Sequence, residues 1–109
     1  MITKKSIQDA YTLLRGIEPF KSWRLPAYIE AQVSESLDDY GAFEEPNIII
    51  ISKARIWEFD QFIMTVAHEM VHLHQSRQKK MGEPPYHNAF FFEAAKQVCK
   101  EFGWKESIF

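Results

Sequence analysis

The chain has 109 residues, 13 Lys and Arg against 15 Asp and Glu, 46% apolar and 15% aromatic content, and a formal charge of -2. These figures suit one core-forming domain, exclude an intrinsically disordered chain, and give no chain-wide basic footprint for binding a phosphate backbone. One cysteine, Cys99, cannot form an internal disulfide, no signal peptide is readable, and the longest apolar run, Ile48 to Ile51, is far short of a membrane span. The expectation is a soluble, reduced, cytoplasmic protein without membrane association.

Residues 3 to 15 place Ile7, Ala10, Tyr11 and Leu14 at i, i+3, i+4, i+7, with Thr3 as N-cap and Gly16 as a stop, and predict a first helix. Glu18 to Pro26 holds two prolines and reads as a connector. In residues 27 to 34, Ala27, Ile29, Ala31 and Val33 alternate with polar or exposed partners, the pattern of a half-buried strand. Asp38 and Asp39 make a turn, and Tyr40 to Phe43 suit a short second strand. Four isoleucines in Ile48 to Ser52 predict a third, covered on both faces. From Glu58 to Arg77 the residues Phe59, Phe62, Ile63, Val66, Met70 and Leu73 keep a helical period. Lys79 to Pro85 is a loop. A last helix runs from Asn88 to Phe102, with Phe91, Ala94, Ala95, Val98 and Phe102 on one stripe. Strands followed by helices predict an α+β domain spanning 1–109.

Residues 68 to 72 read His68-Glu69-Met70-Val71-His72, an HExxH pattern inside the main helix. Histidines four apart project from one helix face, so both imidazoles can reach one Zn²⁺, with a glutamate beside the first to act as general base. At 100° per residue from His68, the apolar stripe falls between about 120° and 220°, whereas His72 falls near 40°. The histidine pair is therefore expected to face away from the core, as the floor of a cleft. A catalytic zinc takes three protein ligands and keeps one open position. His74 lies near 240° on the same wheel and reads as a surface or capping residue. His87, four residues before Phe91, is the expected third ligand on the inward stripe of the last helix. Glu93 is its rival, on a face shared with Lys96, Gln97 and Lys100. Cys99, next to Val98, reads as a small buried hydrophobe.

The stretch from Asn47 through Phe92 resembles the SprT-like metallopeptidase domain. The features that match are the isoleucine-rich strand ending in Ser52, Thr65 three residues before HExxH, the loop, and His87-Asn88-Ala89-Phe90; Tyr40 to Phe43 resembles that family's glycine-containing strand. Two departures stand out. Many members have glycine where this chain has Asn88, and many carry a C-terminal zinc ribbon that one cysteine cannot build. The resemblance implies a small zincin-like fold, one zinc held by three histidines, and hydrolysis of peptide bonds, in some members on proteins bound to DNA. Nucleic acid contact here would fall to Arg77, Lys79 and Lys80, with Lys53 and Arg55, residues that otherwise read as a solvated helix end.

The mechanism expected from these residues has Glu69 taking a proton from water and passing it to the leaving amine, with His68, His72 and His87 holding the metal. Tyr86 and Tyr40 are candidate oxyanion or substrate contacts. An extended protein or peptide substrate is expected at the edge of the Ile48 to Ile51 strand or of the hairpin before it. A different class of function is an interaction module with a structural or vestigial zinc site, contacting a partner through Trp23, Trp57, Trp104 and Phe109. A zinc hydrolase acting on nucleic acid would need a basic groove that the composition does not supply.

Overall fold

The computed structural model describes residues 1–36 and 38–109. Helix α1 spans Lys4–Arg15. It starts in a reciprocal capping box, in which the Thr3 side chain accepts from the Ser6 N–H and the Ser6 hydroxyl accepts from the Thr3 N–H. Its buried stripe is Ile7, Ala10, Tyr11 and Leu14, as the spacing requires.

The connector is not wholly irregular, because Phe20–Trp23 forms a single-turn helix, α2. The Glu18 carboxylate accepts from both the N–H and the hydroxyl of Ser22, and Phe20 is fully buried. A turn of four residues between prolines is too short to leave a period.

Strand β1, Glu30–Ser34, begins three residues later than the alternation suggests. The chain before it is held by α1 instead of by a strand ladder. Tyr11 Oη donates to the Pro26 carbonyl, Arg15 Nε to that of Leu25, and the Ile29 N–H to Gln8 Oε1. Strand β2 is Gly41–Glu44 and β3 is Ile48–Ser52.

The sheet order is β1-β3-β2, with β1 and β3 parallel and β2 and β3 antiparallel. The isoleucine strand is thus the centre of a mixed sheet. Contrary to the expectation of cover on both faces, Ile49 and Ile51 are fully buried but Ile48 and Ile50 only half so. The helices pack against one face, and among the described residues no helix covers the other.

Helix α3, Phe59–Arg77, packs on α1, on strands β2 and β3, and on α4, Ala89–Phe102. Phe62, Val66, Met70 and Leu73 enter the core, but Phe59 is 71% exposed because it opens the helix. Ala67, Val71 and Gln75 are buried too. With neighbours on several sides, α3 is not the half-exposed amphipathic helix that its stripe implied. A closing 3₁₀ turn, Glu106–Ile108, brings Phe109 back to α3.

Cys99 is buried, as expected, and burial together with the nearby Glu106 carboxyl raises its thiol pKa. The four aromatics named as candidates for a contact patch differ in their surroundings. Trp57 is 88% exposed, but Trp23 stacks on His74, and Trp104 lies between Phe102 and Phe109. Among the described residues no helix is long and apolar enough to cross a membrane. The architecture is α+β: an N-terminal helix, a three-stranded mixed sheet, then two helices.

Candidate metal centre

His68 and His72 stand one turn apart on α3, and each has its Nδ1 against an acceptor. His68 Nδ1 lies 2.7 Å from the main-chain oxygen of Phe109, and His72 Nδ1 lies 2.6 Å from Gln75 Oε1. Nε2 is therefore the nitrogen each ring has left to offer. His87 precedes α4, outside the helical stripe on which it was expected, since the N-cap is Asn88. It reaches the pair because its ring packs on Phe91, at 4.6 Å between centroids, and faces His72 at 5.2 Å and His68 at 5.3 Å.

One nitrogen from each of the three imidazoles lies within 4.8 Å of the others, a cluster that could hold a metal ion. An all-imidazole set, with the Nδ1 atoms of His68 and His72 held by hydrogen bonds, is a donor set that suits zinc. Glu93 is exposed and stands outside the cluster.

Glu69 is 4% exposed and His72 6%, whereas His68 is half-buried and His87 exposed, so the HExxH face is partly roofed. Part of the roof is β2. A Cβ on Gly41 would meet the Ile50 carbonyl and the Thr65 methyl, each at 2.9 Å, and Glu69 Oε2 at 3.3 Å. The absence of a side chain lets this strand approach α3. Burial first, and the Asp39 carboxylate second, push the Glu69 carboxyl up to about 8. Burial holds His68 and His72 down at about 4; neighbouring imidazoles add to this, while the hydrogen bonds to Phe109 and Gln75 act the other way.

Glu69 sits where two clefts meet. One, of 330 Å³, is bordered by Phe43, His72, Tyr86 and His87; the other, of 210 Å³, by Tyr40, Gln61, Thr65 and Phe109. Asp39, Gly41, His68 and Glu69 line both. Tyr86 and Tyr40 thus fall on opposite sides of Glu69. Hydrogen bonds to Arg55 and Gln61 lower the Tyr40 pKa, and the Arg55 guanidinium lies over its ring. The isoleucine strand has no free edge, being paired on both sides; the edge beside the clefts is that of β2.

His74 points away from the cluster, as the wheel indicates, yet it is neither a surface residue nor a cap. Its ring stacks on Trp23 at 4.0 Å and 3°, its Nδ1 is buried without a partner among the described residues, and burial lowers its pKa to about 4. Of the basic residues, Lys53 pairs with Glu35 and Arg55 covers Tyr40, leaving Arg77, Lys79 and Lys80 exposed at the end of α3.

Two residues of the site are not evident from composition or periodicity: Gln75, which holds His72, and Asn88, which caps α4 beside His87. Gln75 has a faint signal, since it follows His72 by three on a helix and shares its face.

No family model matches the chain, and no curated protein or solved structure matches it.

Proposed function

We propose that this protein is a zinc-dependent metallopeptidase of the SprT-like kind, hydrolysing peptide bonds with Glu69 as general base and His68, His72 and His87 as metal ligands. The observation that carries the reading is the convergence of three imidazole nitrogens within 4.8 Å next to a buried carboxyl. A site serving structure alone has no use for that carboxyl. Zn²⁺, when bound, supplies a Lewis acid that acidifies water and polarises a carbonyl, and its charge favours the ionised form of a neighbouring carboxyl.

The remaining chemistry belongs to the chain. Glu69 receives a proton on its carboxylate and returns it to the departing amine. Its position at the junction of the two clefts suits an extended peptide passing across it, lying along the free edge of β2. Tyr86 on one side and Tyr40 on the other are the proposed contacts to the oxyanion or to flanking substrate groups. Proteins bound to DNA are one case of this substrate class, and their recruitment would fall to Arg77, Lys79 and Lys80.

The test is metal content together with hydrolysis of an unfolded protein substrate. Wild type is expected to hold about one zinc per chain. Glu69→Gln should keep the metal and lose hydrolysis; His68→Ala, His72→Ala and His87→Ala should lose both. Full hydrolysis by Glu69→Gln would remove Glu69 as the base, and a wild type that takes up no zinc would remove the peptidase reading.

A further inference from the structure

Gln75 is 0% exposed, and its side-chain hydrogen bonds tie together two parts of the site. Nε2 donates to the Tyr86 carbonyl at 2.8 Å and to Asn88 Oδ1 at 3.1 Å, the two residues on either side of His87. A carbonyl only accepts, so the amide has one orientation, and the atom facing His72 Nδ1 at 2.6 Å is the oxygen. The Asn88 amide is fixed by the same logic. Its Nδ2 donates to the carbonyls of Lys80 and Met81, and its Oδ1 accepts from the Phe91 N–H at 3.0 Å. Because Gln75 Oε1 can only accept, His72 Nδ1 carries the proton and Nε2 carries the lone pair.

We infer that Gln75 is the positioning residue of the metal centre, setting the tautomer of His72 and the placement of His87 through one side chain. The inference rests on the reading of the three histidines as ligands and goes beyond it in assigning how they are assembled. The two α3 histidines share one rigid helix, whereas His87 comes from a stretch without regular structure, and its two chain neighbours are both bound to the Gln75 amide. A buried amide costs free energy unless fully paired, and an apolar side chain would fill the same volume without that demand. Its pairing here runs to the ligand on one side and, on the other, to Tyr86 and Asn88 beside His87, with a longer Nε2 contact to the Lys80 carbonyl at 3.4 Å.

Two measurements test this. Long-range ¹H–¹⁵N correlation on the metal-free wild type reads the His72 tautomer directly, and zinc titration compares wild type with Gln75→Met. The expected results are an Nδ1–H tautomer at His72, its loss in Gln75→Met, and zinc affinity weakened about 10–100-fold in that variant. An Nε2–H tautomer in wild type would overturn the inference, as would Gln75→Met with unchanged tautomer and affinity. The tautomer reading needs no substitution, so it decides the matter even if Gln75→Met does not fold. A wild type that binds no zinc counts against the peptidase reading, while the His72 tautomer still decides the role of Gln75.

Discussion

Burial against Gly41 leaves Glu69 protonated near neutral pH in the metal-free protein, while His68, His72 and His74 stay neutral. Between pH 4.5 and about 8 the folded state keeps a Glu69 proton that the unfolded chain releases, so this group lowers stability as pH rises. Between pH 6.5 and about 4 the unfolded chain takes up histidine protons that the folded state refuses, so these groups lower stability as pH falls. Three histidines outweigh one glutamate where the windows overlap. The melting temperature of the metal-free protein is therefore expected to peak near pH 6.5 and decline on both sides. Glu69→Gln should flatten the alkaline side and steepen the acid side between pH 4.5 and 6.5, where Glu69 no longer opposes the histidines; parallel alkaline declines in both proteins would show that Glu69 is ionised in the fold. The His68, Glu69 and His72 arrangement was legible because its spacing is local to one helix. His74 was legible in direction but not in surroundings, since nothing in the sequence brings Trp23 against it.

Strand β2 makes its contribution by approaching α3 closely, and Gly41 permits that approach. Gly41→Ala should lower the unfolding free energy by about 1–3 kcal/mol through overpacking against the Ile50 carbonyl and Thr65. Denaturant titration with an unchanged slope would check it, and a neutral result would mean that the strand can retreat at no cost. Helix α4 depends on a different contact. Asn88 both caps it and holds the Lys80 and Met81 carbonyls, so Asn88→Ala should cost about 1 kcal/mol or more and loosen the loop ahead of His87. The long helices were legible from their apolar period, including Ile7 to Leu14 and Phe91 to Val98. The short α2 was not, nor was the parallel pairing of β1 with β3, because that contact joins segments separated by the whole of β2. His87 was expected on a helix stripe and lies one residue outside the cap, where helical geometry no longer applies.

The α+β arrangement followed from strands preceding helices, and the core joins α1, the sheet, α3 and α4 in one cluster. The candidate ligands come from two separate stretches of this assembly, so a bound ion would tie α3 to the segment ahead of α4. Zinc at a hundredfold excess over its dissociation constant is expected to stabilise the fold by about 2.7 kcal/mol, raising the melting temperature by roughly 10–20 °C. A chelator should reverse the shift, and His87→Ala should show little of it. Differential scanning calorimetry with and without zinc would measure both. His68 brings in one more distant segment, since its Nδ1 partner is the main-chain oxygen of Phe109, 41 positions along the chain. Every amino acid has that oxygen. An alanine scan would therefore pass over this contact, and replacing the Phe109 ring would disturb its packing on Trp104, His68 and the core while leaving that oxygen in the chain. Genetic evidence for the partner of His68 must come from moving the backbone, by shortening the 104–109 segment or changing its path, and not from a catalogue of side-chain substitutions.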